Sequence, residues 1–169
     1  ESAAIGKTIA QIKQLQLAHE IIVVNDGSTD GGKELVEKRT GDKITLINQE
    51  NQGVSVARNF GISKVKGTFI QFLDADDKIH SRKFEYQLSV LESNPSIDLI
   101  YGSSRYFFDG SFETLYPLHP NGAIPCDLTV QDGFQVEMIL KGNICTNCSL
   151  LFRRNIIGKV NFRKVLLYP

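Results

Sequence analysis

The chain has 169 residues, 41% hydrophobic and 22% charged, the profile of one globular domain that folds without a disulfide or metal staple. Nineteen basic and nineteen acidic side chains cancel, which excludes a nucleic-acid grip spread over the whole molecule, and nucleic acid is not expected as a partner. No apolar run approaches the roughly 18 to 20 residues that a membrane span needs.

Ile5, Ile9, Ile12 and Leu15 recur at intervals of three and four residues and predict a helix with one apolar face. Glu20 to Asn25 is a β-branched run stopped by Asp26-Gly27-Ser28, the pattern of a strand buried on both faces of a parallel sheet. Lys33 to Arg39 suits a short helix and Lys43 to Asn48 a second strand. Val54, Ala57, Gly61 and Val65 line a further helix, ending near Gly67. Thr68 to Leu73 is a third apolar strand, halted by Asp74-Ala75-Asp76-Asp77. Ser81 is placed to cap the next helix, whose inner face carries Phe84, Leu88 and Leu91, and Leu99 to Tyr101 reads as a fourth strand. This alternation predicts an α/β fold with a doubly wound, mostly parallel sheet.

After Gly102 the pattern loosens. Tyr106 to Phe108, a turn at Asp109-Gly110, and Phe112 to Tyr116 predict a hairpin. Pro117, Pro120 and Pro125 mark irregular chain, Val130, Phe134 and Met138 suit a helix, and Ser149 to Phe152 a last short strand. Residues 1–169 thus read as a single domain, regular over 1–102 and less regular over 103–169. Three cysteines cannot all pair and no secretory signal is visible, which predicts a reducing compartment, the cytoplasm. Attachment to the inner face of a membrane is left open.

Ligands of parallel α/β sheets bind beyond the carboxyl ends of the strands. Two acidic motifs fall there. Asp26-Gly27-Ser28-Thr29-Asp30 offers a carboxylate and hydroxyls on a glycine turn, suited to the polar edge of a base or ribose. Asp74-Ala75-Asp76-Asp77 places three carboxylates within four residues, a repulsive cluster that a hard divalent ion with diphosphate oxygens would compensate. Each motif alone is more often an Asx turn or the start of a loop. Together on one sheet they point to a site.

The segments Ile21 to Asp30, Asn51 to Asn59 and Phe72 to Asp77, in this order, resemble the family 2 glycosyltransferases of the GT-A fold. The match is close from Glu20 to Tyr101 and continues weakly to Leu151-Phe152-Arg153-Arg154. The resemblance implies a nucleotide-diphospho-sugar donor, UDP-linked, bound by 1–102, and a glycan or lipid-linked acceptor met by 103–169. It gives Asp26 the base, with Ser28 beside it on the same turn; it sets Arg58 facing the nucleotide, Asp74 on ribose or metal, and Asp76 on Mg²⁺ or Mn²⁺. It implies inversion at the anomeric carbon and a role in polysaccharide or cell-surface glycan synthesis.

The family opens with a strand that this sequence lacks, and carries its base in an acidic motif not found before Pro169. A fragment is therefore expected, with no catalytic base named and Asp127 and Asp132 the acids to try within 103–169. A gap beside the first strand is expected to be filled by a strand from another copy, by the Leu150 region, or by residues outside this sequence. A catalytically silent nucleotide-sugar module is an alternative. A haloacid-dehalogenase-type phosphatase would leave the Asp26 turn and Ala57-Arg58-Asn59 unexplained.

Cys145-Thr146-Asn147-Cys148 has zinc half-site spacing but no second pair. His19, His80 and His119 are scattered, with His80 nearest the acids. Arg153-Arg154 is either a diphosphate or lipid-carrier contact or a solvated pair, and Phe69, Phe72 and Phe84 are expected in the core.

Overall fold

The computed structural model describes residues 2–15, 20–39, 41, 43–102, 104, 107–108, 111–115 and 146–156. The β-branched run forms β1 (Ile21–Asp26), which pairs in parallel with β2 (Ile44–Gln49), Val23 opposite Leu46 and Asp26 opposite Gln49. On one face, α1 (Ser2–Gln14) and α2 (Gly32–Glu37) close over the ladder. Ile9, Val36 and Ile44 are buried there, with Ile5, Ile21, Val23 and Leu46 packed around them. On the other face lies α3 (Val54–Lys64), close enough that a Cβ on Gly61 would stand 3.4 Å from the Val24 side chain. Helices on both faces give the doubly wound arrangement expected from the sequence.

A second ladder holds β3 (Phe69–Ile70), β4 (Leu99–Ile100) and β7 (Leu151–Arg153). Strand β7 sits between the other two and runs antiparallel to both, pairing Ile70 and Leu99 with Phe152. Short apolar runs carry no direction, so this insertion was not readable beforehand. The Leu150 region thus pairs with β3 and β4 and, among the described residues, not with β1. The third strand is shorter than expected. Pairing stops at Ile70, and from Gln71 onward side-chain amides take over the connection. The fourth helix, α4 (Lys83–Ser93), has Arg82 rather than Ser81 in the cap position, with no side-chain cap bond. Leu91 on its inner face is fully buried. The hairpin forms as β5 (Phe107–Phe108) and β6 (Ser111–Leu115). The predicted helix around Val130 and the proline-rich segment lie outside the described residues.

Among the described residues no ladder joins β1 to β3. Instead a cleft of about 280 Å³ opens between β1, α1, the start of α2 and the acidic loop, lined by Val23, Asn25, Ser28, Lys33, Ala75 and Asp76 among others. Helix α1 is tied to that loop, Thr8 Oγ1 donating to the Ala75 carbonyl at 2.8 Å and Gln11 Nε2 to the Ile79 carbonyl at 3.1 Å. Among the described residues, no helix is long and apolar enough to cross a membrane.

Candidate active site

The turn after β1 is built on Gly27, whose φ of +78° and 3.0 Å clearance from the Asn51 amide exclude a side chain without strain. Asn25 steadies it, accepting from the Ser28 amide at 3.0 Å and donating to Asn48. Asp26 then points at the start of α3. Its Oδ1 accepts from Gln49 Nε2 at 2.7 Å and the Gln52 amide at 2.9 Å, and its Oδ2 from the Gly53 amide at 2.9 Å. Burial would raise the carboxyl pKa, but the Gln52, Gln49 and Gly53 hydrogen bonds outweigh it and hold the group below its ordinary value. Asp26 is thus an ionised anchor for the N-terminus of α3, where the orphan amides and the helix dipole favour a negative charge.

One turn into α3 stands Arg58. Its Nη2 donates to both oxygens of Asp74, at 2.8 and 3.0 Å. The Arg58 side chain is 15% exposed and that of Asp74 47%, so the cation lies beneath and the acid faces outward. The Asn147 side-chain oxygen, oriented so that donors meet acceptors, takes Arg58 Nη1 at 2.9 Å and Nη2 at 3.2 Å. Asp76 is exposed at the tip of the loop. Asp77 turns inward. Burial raises its pKa, the Cys148 thiol hydrogen bond opposes this, and the charges of Asp74 and Asp76 push it up further against Arg58. The thiol itself is raised by burial, and its sulfur lies 3.1 Å from Thr146 Oγ1.

The three sequence motifs therefore meet through α3: Asp26 caps it, Arg58 projects from it, and Asp74 receives Arg58. Ser28 and Asp76 line one cleft, which Asp26, Arg58 and Asp74 do not. Among the described residues, no three His, Cys, Asp or Glu converge as a metal-binding group. Asn147, Gln71, Lys83 and Gln87 were not singled out from the sequence, because polar residues at these places look like ordinary surface. Arg153 is partly exposed and turned onto the protein: Nε donates to the Ile97 carbonyl at 2.9 Å, Nη2 to that of Leu91, and the guanidinium lies over Phe69. Arg154 Nε donates to the Gly67 carbonyl at 2.9 Å. His80 Nδ1 accepts from the Arg82 amide. Phe72 packs on Phe152, in keeping with the core reading. Cys148 is a free thiol, and Cys126, Cys145, His19, His119, Asp127 and Asp132 lie outside the described residues.

The family described as Glycosyl transferase family 2 matches residues 1–159. The chain belongs to that family. Among curated relatives, an uncharacterized glycosyltransferase of Rickettsia bellii is 35% identical over 134 residues, covering 78% of this chain and 19% of the relative. The uncharacterized glycosyltransferase YibD of Escherichia coli is 34% identical over 105 residues, 61% of this chain and 30% of YibD. The chain thus spans about a fifth to a third of the length of these two relatives. Among solved structures, a mannosyltransferase from Pyrobaculum calidifontis in complex with GDP-Man and Mn²⁺ superposes with a TM-score of 0.64 at 16% identity. It covers 94% of this chain and 43% of the mannosyltransferase. Residues 1–349 of TarS from S. aureus superpose with a TM-score of 0.57 at 18% identity, covering 92% of this chain and 46% of TarS. At these identities the likeness speaks for the GT-A fold.

Proposed function

We propose that this chain forms the donor-binding part of a transferase that moves a sugar from a nucleotide-diphospho-sugar to an acceptor hydroxyl on a glycan or lipid carrier, with inversion. The observation that carries it is the Asp26–α3–Arg58–Asp74 chain, which gathers the three family motifs around one group of strand ends. Residues 1–102 hold the donor and 103–169 face the acceptor. Polysaccharide or cell-surface glycan synthesis is the expected setting.

Asp74 and Asp76 would hold the metal. Their fit to a hard cation rests on geometry: Asp76 is exposed, and the Asp74 carboxylate remains 47% exposed while it accepts from Arg58, so oxygen ligands of the kind such an ion takes face outward there. Mg²⁺ or Mn²⁺ at these oxygens would neutralise charge on the departing diphosphate. The mannosyltransferase neighbour carries Mn²⁺ with its nucleotide-sugar, which favours the same class of ion. Arg58, bound by Asn147, supplies a cation beside the phosphates and holds the Asp74 carboxylate by two hydrogen bonds. Ser28 offers its hydroxyl to the polar edge of the donor. Asp26 retains acceptor capacity on Oδ2, which accepts one described bond, and its lowered pKa keeps it ionised. It suits the imide N–H of uracil, which cytosine lacks, and UDP is therefore expected to bind more tightly than CDP.

Calorimetry of UDP binding with Mn²⁺, with chelator, and in Asp76→Asn tests this reading. Loss of even an outer-shell partner costs a metal site about 10- to 100-fold, so at least that loss is expected both in the variant and with chelator. Equal UDP affinity in both proteins, with and without chelator, would refute it.

A further inference from the structure

Below the acidic loop lies a polar relay. Lys83, the first residue of α4, is half-buried, and its ammonium donates to Gln71 Oε1, to Gln87 Oε1 at 2.6 Å and to the Leu150 carbonyl at 3.4 Å. An ammonium has three N–H groups and no acceptor, so both glutamines must turn their oxygens toward it. Their amide nitrogens are thereby left to donate the other way. Gln71 Nε2 donates to the Phe72 carbonyl, to the Cys148 carbonyl at 3.1 Å and to the Asn147 carbonyl at 3.5 Å, and Gln87 Nε2 to the Ser149 carbonyl at 3.0 Å. Four successive carbonyls, from residue 147 to residue 150, accept from this trio. They belong to the 3₁₀ turn Asn147–Ser149 and the residue after it. That turn presents the Asn147 side chain to Arg58 and the Cys148 thiol to Asp77.

The lysine sits where its charge is costly. Burial lowers its pKa to about 8, an effect only partly offset by Cys148, and its described acceptors are all neutral oxygens. An apolar residue could fill the space, but it would leave both glutamines free to flip. Gln87 is 6% exposed, so a wrongly turned amide there would bury an unmatched donor or acceptor.

We infer that Lys83 is a positioning residue: by fixing the orientation of Gln71 and Gln87 it locks the 147–149 turn, and so sets how Arg58 and Asp77 stand in the site. The role in donor binding rests on the transferase reading above; the locking of the turn does not.

Two readouts separate these. Iodoacetamide labelling, assigned to Cys148 by fragment-ion mass spectrometry and corrected in each protein for the thiolate fraction read from the pH dependence of the rate, reports opening of the turn without any ligand. Calorimetry with Mn²⁺ and UDP reports the site. In Lys83→Met, loss of charge-assisted bonds should speed Cys148 labelling about tenfold. The displaced Arg58 should weaken Mn²⁺-dependent UDP binding by about tenfold as well. Lys83→Arg, which keeps a multi-donor cation, should restore most of both. Should Lys83→Met not fold, Gln71→Glu carries the same test, because a carboxylate still pairs with Lys83 but has no N–H for the turn.

Labelling as slow as in the parent protein, in folded Lys83→Met or Gln71→Glu, would overturn the inference. So would fast labelling with unchanged UDP affinity, or a loss of UDP affinity that follows falling thermal stability and is not rescued by arginine. If the parent chain binds no UDP, the transferase reading fails, and the labelling series alone decides whether Lys83 locks the turn.

Discussion

Strands β1 and β2 share six registered pairs and close over an apolar cluster, whereas β3 and β4 each make two pairs with β7. The first region is held by burial: Ile9, Val36 and Ile44 form its centre, and helices cover both faces. The second has its own apolar residues, Ile70, Leu91, Leu151 and Phe152, but threads buried Gln87 and Ser149 among them. The difference follows their tasks. The first region needs only to end in a fixed turn at Asp26. The second must hold an irregular turn, 147–149, against an acidic loop, and irregular backbone has carbonyls that no strand ladder satisfies and that side chains largely meet here. Burial is undirected; the amides of Gln71 and Gln87 specify one arrangement.

The largest effects should come from cutting each region at its most enclosed residue. Ile9 is 1% exposed and Leu91 fully buried. Each change to alanine should cost about 2–5 kcal/mol by urea denaturation, through lost transfer energy and the cavity left. The regions should nevertheless respond differently in hydrogen exchange. Leu91→Ala should release the amides of α4 and 151–153 while β1 and β2 stay protected. Equal loss of protection in both ladders would show one cooperative unit and dissolve the contrast.

The first region was largely readable in the sequence because its forces are. A β-branched run ended by Asp-Gly, followed by helical periodicity, marks β1 to within a residue and the start of α3, while α3 ends at Lys64, short of Gly67. Arg58 and Asp74, sixteen residues apart, were named from their motifs, and the structure pairs them. The second region was not readable in the same way. Gln71 and Cys148 are separated by 77 positions, and Gln87 and Ser149 by 62. Nothing local marks a glutamine that will reach across such a distance. The antiparallel entry of β7 was invisible for a related reason, since three apolar residues fit either direction. At Asp26 the sequence showed a carboxylate at a strand end, but not that Gln49 and the residues leading into α3 would supply donors to both of its oxygens.

A middle-sized effect is expected at the turn itself. Gly27→Ala would hold a non-glycine residue at φ +78° with its Cβ 3.0 Å from the Asn51 amide nitrogen and 3.1 Å from the Asn51 Cβ. A strained backbone position of this kind costs about 1–3 kcal/mol. The push would fall on the segment whose Gln52 and Gly53 amides reach Asp26, so the loss should also appear as fraying of the first turn of α3. Gly53→Ala is the comparison. The space around it is open, but φ +88° with ψ 159° is a conformation essentially restricted to glycine, so it should cost at least as much. A clearly smaller cost at Gly53 in urea denaturation would mean that crowding against Asn51, not dihedral strain, governs this turn.

The smallest effect is electrostatic and tests whether Asp26 serves the first region as an anchor as well as the site as a base contact. Its carboxylate accepts from two backbone amides at the start of α3 and from Gln49, and its pKa lies below the ordinary 3.8. A depressed carboxyl pKa stabilises the folded chain wherever the group is ionised in both states, that is above 3.8, and the contribution is lost as pH falls through the lower folded value. Asp26→Asn keeps the shape but loses the charge and one acceptor. At neutral pH it should cost about 1 kcal/mol, the usual worth of a helix N-terminal cap, with partial exposure keeping it near the low end. The gap between parent and variant should then narrow as pH is lowered toward about 2, because the parent loses its charge too. Urea midpoints measured side by side across that range decide it. A gap that stays constant down to the lowest pH would mean that the Asp26 charge does nothing for α3 and that its pKa is not lowered by folding.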